Sequence, residues 1–251
     1  MTIRDIAVAF GIEVDQKSVS AAENAIKGVK NMASKLLGAI GIGFSIAGIA
    51  NLAEAAADAE ALKSQFSQVF GDLEQDASDK LDKIADDTGV TVNRMKGSFT
   101  QIAAFAKTTG MEQADALDIA DRSMKAVADS AAFYDRSIED VTNSLQSFLK
   151  GNFENDAALG LSCTETTRNT AANALYGKSF KDLSEAEKQL TLLQMVEDAN
   201  KASGAIGQAA RESDTWTNQL GNLKQNVQDL KAAAGNAFLK PAVMEKKLLN
   251  S

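Results

Sequence analysis

The sequence predicts an elongated all-α protein of many helices, with one N-terminal β-strand and coiled-coil-like segments. Three observations carry that prediction. Pro241 is the single proline in 251 residues, where ordinary usage of about 5% would place roughly a dozen, so helices run without their commonest interruption. Aromatic residues make up only 6% of the chain. Any core must then be built from Ala, Leu, Ile and Val, and small side chains bury little area each, which suits self-associating helices better than one large core. Finally, apolar residues return every three or four positions along most of the chain.

The first element is the exception. Ile6, Val8, Phe10, Ile12 and Val14 alternate with Ala7, Ala9, Gly11 and Glu13, a period of two that favours a half-buried strand over an N-terminal extension of the next helix. A lone strand cannot satisfy its own backbone and calls for a partner, another copy or another protein. Residues 1–17 therefore form an N-terminal strand region, followed by a long helix over 18–71. Ser18 or Ser20 caps this helix, which carries Ala25, Val29 and Met32 and stops at Gly71.

Within it, the eighteen residues from Leu36 to Ala53 contain no charged side chain. As a helix they would reach about 27 Å, close to the hydrocarbon thickness of a bilayer. Gly38, Gly41, Gly43 and Gly48 soften such a helix, while Ala39, Gly43 and Ala47 form a ladder of small residues that lets backbones approach closely. Leu36, Leu37, Ala39, Ile40, Ile42, Gly43, Phe44, Ile46, Ala47 and Ile49 are thus candidates for membrane or oligomer contact. A glycine-softened core helix fits the same stretch.

Residues 72–251 read as a further helical region. Leu73, Ala77, Leu81 and Ile84 lead to a stop at Thr88-Gly89; Met95, Phe99, Ile102 and Phe105 mark a helix from about Asn93 to Thr108; another runs from Glu112 to Tyr134. Ser137 and Asp140 have capping-box spacing ahead of a helix that ends at Gly151. A loop with one short helical turn follows, up to Ser162, and Ser184 with Glu187 opens a helix through Leu190, Leu193 and Val196. Last, Trp216, Leu220, Leu223, Val227 and Leu230 alternate spacings of four and three, a heptad seam in a helix over 214–235 that closes at Gly235. The seam serves either self-association or packing onto the chain's own helices.

The composition narrows the chemistry. There is no histidine, and Cys163 is the only cysteine, so the commonest general base, the commonest metal ligand and any internal disulfide are absent. Neither a catalytic site, a cofactor site nor a metal site is expected. Cys163 reads as a small, inert residue near a helix start. The acidic pairs Asp86–Asp87 and Glu139–Asp140 read as solvated surface rather than a catalytic dyad. A net charge of −8 with scattered Lys and Arg argues against a nucleic-acid-binding surface. The N-terminus lacks the pattern of a signal peptide, which predicts synthesis and retention in a reducing cytoplasm unless something else delivers the chain.

Five segments between about Ala53 and Leu239 occur in an order that resembles the core region of tailed-bacteriophage tail tape measure proteins. They are Glu60–Phe66 with Val69-Phe70-Gly71; Asp87-Thr88-Gly89-Val90-Thr91; Phe148–Glu154 with Ala158-Leu159-Gly160-Leu161; Leu183–Lys188; and Ser213–Lys224. Each is weak alone, and the ordered set covers roughly three quarters of the chain.

The resemblance implies a structural virion protein that occupies the tail lumen in several copies, as a trimer or hexamer, after synthesis in the host bacterial cytoplasm. In that family the protein sets tail length, tail tube subunits polymerise around it with assembly chaperones, tail tip proteins adjoin it, and it leaves ahead of the DNA. Apolar segments such as Leu36–Ala53 are associated with crossing the host membrane. Family members are usually much longer, and a chain ending just after the core region would template only a short tube. A fragment of a longer protein, a truncated product and a component of a small phage-derived particle all stay open. The competing reading is a pore-forming or translocator protein.

Overall fold

The computed structural model describes residues 46–154, 156–213 and 216–249. The expected strand Ile6–Val14, and the apolar segment from Leu36 to Phe44, lie outside the described residues. Ile46, Ala47 and Ile49 fall within the first described helix by backbone. Nine α-helices and three short 3-10 turns make up the described structure, with no strand among the described residues. The helices are α1 (Ile46–Phe70), α2 (Glu74–Thr88), α3 (Val92–Thr108), α4 (Gln113–Phe133), α5 (Ile138–Leu149), α6 (Glu165–Tyr176), α7 (Glu185–Ser203), α8 (Gln208–Arg211) and α9 (Trp216–Leu249). The fold class is all-α.

The chain divides into two compact units, Leu62–Gln225 and the remainder, up to Ala61 and from Asn226. The first division falls inside α1, ahead of the glycine at 71. In the second unit Ala56 and Ala232 are buried, and Val227 and Leu230 are half-buried.

Leu62–Gln225 is built around α4, which packs against α2, α3, α5, α7 and α8. The reason is legible in its side chains. Ala116, Ala120, Ala126, Ala128 and Ala131 are all buried on α4, as are Ser123 and Ser130, and such short side chains let neighbouring helices approach from several directions. Larger groups fill the space between: Ile119 and Met124 from α4, Phe99 and Ile102 from α3, Leu145 and Phe148 from α5, Leu193 and Val196 from α7. At the end of α1, Phe66 and Phe70 pack with tilted rings at 4.8 Å between centroids, and Phe70 meets Phe99 at 5.3 Å. The elongation suggested by composition is thus not a property of this unit, whose helices fold back onto α4.

Polar contacts fix the packing. Asn200 of α7, buried, donates to the Ala126 carbonyl (3.0 Å) and accepts from the Ser130 hydroxyl (2.9 Å). Arg122 of α4 makes a two-pronged pair with Glu197 (2.9 and 2.7 Å), the strong form of ion pair for a guanidinium. Asp129 accepts from the backbone amides of Gly207 and Ala209, holding α8 against α4.

Helix boundaries follow capping chemistry. Ser184 and Glu187 close the expected capping box at the start of α7, each side chain bonding the other's backbone amide. Ser137 accepts from the Asp140 amide at the start of α5, one half of the box that its spacing suggests. Two features depart from expectation. Of α6 the sequence marks only a start near Cys163; the helix runs Glu165–Tyr176 and is opened by a Thr164–Thr167 capping box. And α9 does not close at Gly235 but continues through Pro241 to Leu249; a glycine stops a helix only where the next turn has nothing to gain, and its cost of about 1 kcal/mol is readily outweighed.

Candidate self-association surface

In its second helical turn, at Asn222, the seam helix α9 meets the turn between α2 and α3. That turn is shaped by Gly89, whose φ of +69 is a left-handed conformation open to glycine at little cost. Its amide bonds back to Ala85, and the Thr88 hydroxyl donates to the Ile84 carbonyl. The turn leaves one backbone acceptor and one backbone donor facing α9, and a single side chain answers both. The Asn222 amide nitrogen donates to the Gly89 carbonyl (2.7 Å) while its amide oxygen accepts from the Thr91 N–H (3.2 Å). Asn222 is 8% exposed.

Gly221, one position earlier, lies with its bare α-carbon against the Arg94 guanidinium, where a β-carbon would overlap it. That guanidinium is itself fixed by a two-pronged bond to Glu139 of α5 (2.8 and 3.1 Å). Burial alone would raise the Glu139 pKa, but the Arg94 hydrogen bonds and charge hold it below the ordinary glutamate value. Two segments of the ordered set, Asp87–Thr91 and Ser213–Lys224, therefore meet in space although Asn222 and Gly89 are 133 residues apart.

The seam itself is elsewhere on the helix. Leu223, adjacent to the docked Asn222 and so turned about 100° from it, is 57% exposed. In this unit, packing onto the chain's own helices does not account for Leu223. Trp216 and Leu220 lie in α9 by backbone, and Val227 and Leu230 are half-buried. The apolar register was readable in the sequence; the polar dock opposite it was not, because nothing local marks Asn222 as different from Asn218 or Asn226.

The other segments singled out in the sequence serve as joints. Phe153 packs edge-on against Phe148 at 5.5 Å and beneath the Arg168 guanidinium at 4.2 Å. Leu159 is fully buried, and Gly160, at φ +74, leaves room for the Tyr134 ring. Lys107 donates to the Val69 carbonyl and so caps the end of α1.

One member of each acidic pair is ion-paired at the surface, Asp87 with Lys83 at 2.9 Å and Glu139 with Arg94 at 2.8 Å. Cys163 precedes α6; burial pushes its thiol pKa up, against the pull of Arg168, whose guanidinium lies 3.6 Å from the sulfur. A raised thiol is a poor nucleophile. A cavity of about 110 Å³ lies between Thr88, Val90, Arg94, Asp135, Arg136 and Glu212, where Arg94 is committed to Glu139 and Arg136 donates to the Ala158 carbonyl. Among the described residues no three potential metal ligands converge, and no helix is long and apolar enough to cross a membrane.

No family model matches the chain, and neither a curated protein nor a solved structure matches it.

Proposed function

We propose that this chain is a structural, non-enzymatic protein, a phage tail tape measure protein or a segment of one, that works as an oligomer inside the tail tube. What supports the reading is the ordered set of five segments, together with an apolar helix register whose Leu223 points away from the body that carries it. An exposed leucine at a heptad position reduces its contact with water by pairing with a like helix. In this reading the tail tube protein polymerises around the oligomer with its chaperones, the tip proteins adjoin one end, and the apolar segment Leu36–Ala53 meets the host membrane on release.

The test is assembly with and without the chain. Particles lacking it should form tubes of scattered length or none, as measured by electron microscopy, and adding it back should restore a single length. Tubes of normal, uniform length in its absence would refute the role. Leakage of liposomes by the purified protein, with no tail component present, would favour the pore-forming alternative instead.

A further inference from the structure

We infer that Asn222 is a positioning residue, a polar latch that holds the start of α9 on the α2–α3 turn by its hydrophilic side and so keeps the Leu223 side of the helix outward. This inference rests on the proposed self-association for its purpose, though not for its geometry. The amide of Asn222 supplies one donor and one acceptor to a turn that offers one of each, Gly89 O and Thr91 N–H. A carboxamide holds a donor and an acceptor in one plane, which a hydroxyl, carboxylate or ammonium of similar reach does not. The neighbouring contact is also polar: Gly221 admits the Arg94 guanidinium, which Glu139 fixes from α5.

The residue next in line is apolar and turned away. An amphipathic helix ordinarily docks through its apolar stripe and leaves its polar residues in water. Here the arrangement is reversed over Gly221–Leu223, and it holds because the docked polar groups are satisfied. Losing the amide leaves Gly89 O and Thr91 N–H with one partner fewer in a half-buried site, which favours admission of water and departure of the helix start.

Hydrogen exchange on the full chain tests this with Asn222→Ala and Asn222→Asp. The aspartate preserves shape and can accept from Thr91, but its carboxylate would face the Gly89 carbonyl with no proton to donate. Amides of residues 216–225 should exchange at least about tenfold faster in both variants, while those of α4 stay within about twofold of the unsubstituted chain. A role in packing alone would leave the isosteric Asp variant as protected as the original, and that result overturns the inference. Equal loss of protection in α4, or unchanged protection at 216–225 in either variant, overturns it too. Sedimentation of the unsubstituted chain separates the two claims: a monomer at high concentration defeats self-association but leaves the exchange result to decide the latch.

Discussion

Gly160→Ala probes the joint between the end of α4 and the loop before α6. Gly160 has φ +74, a left-handed conformation that costs an L-residue about 1–2 kcal/mol. A β-carbon at this position would also overlap the Tyr134 hydroxyl and ring, so the ring must move. Tyr134 packs edge-on against Phe133, at 5.0 Å between centroids and 89° between planes, an arrangement worth about 0.5–1.5 kcal/mol. The substitution should therefore cost about 1.5–3.5 kcal/mol, and the thermal midpoint should fall by roughly 3–14 °C. Urea unfolding followed by circular dichroism measures the cost directly, and a double-mutant cycle separates its parts. With Tyr134→Ala already present, only the backbone portion of about 1–2 kcal/mol should remain. A cost below about 0.5 kcal/mol, or the same cost in both backgrounds, would refute the reasoning.

Leu223→Asp should leave unfolding stability within about 0.5 kcal/mol, because the side chain is exposed, yet weaken self-association by roughly tenfold or more in sedimentation equilibrium; an unchanged oligomer would show that the seam is not the contact. Glu139 is held below its ordinary pKa in the folded chain, so the stability it contributes is present above about pH 4.3 and is lost as pH falls through its lower folded value. Glu139→Gln should therefore cost about 0–1 kcal/mol at pH 7, and that cost should shrink as the pH is lowered below about 4.3, by urea unfolding across the range; a gap that does not shrink in acid would contradict the pairing. Cys163, its thiol raised by burial, should react with iodoacetamide at pH 7.5 more slowly than a free cysteine and equally fast in denaturant, and faster reaction in the folded chain would contradict that.

Local chemistry made most of the helices legible. Thr88-Gly89 ends α2, Ser184 with Glu187 opens α7, and the three-to-four spacing of Met95, Phe99 and Ile102 marks α3. Where legibility failed, the cause was equally physical. In α6 only Ala172 is buried, so its apolar period is faint and its start is marked by Thr164 with Thr167 rather than by the commoner Glu partner. The central place of α4 was hidden because alanine and serine give little hydrophobic signal, although their smallness is what lets five neighbours reach the helix. The seam could be read as a register, but its direction depended on Asn222 meeting a turn far away in sequence, and such a pairing leaves no local trace.

The position of α4 also bears on how the chain reaches its fold. Its most extensive partner, α3, is its immediate neighbour in sequence, joined by a short turn, and α5 follows as closely. These contacts close small loops, which cost little entropy and form early. The contacts to α7 span about 70 residues, as in the Asn200–Ser130 and Arg122–Glu197 bonds, and cannot precede the surface they join. The contacts within residues 92–149 are therefore among those whose loops close at least entropic cost, ahead of the contacts to α7. On a ribosome this order matches emergence: α3, α4 and α5 can associate while α7 is still being made, with α4 waiting for its remaining neighbours.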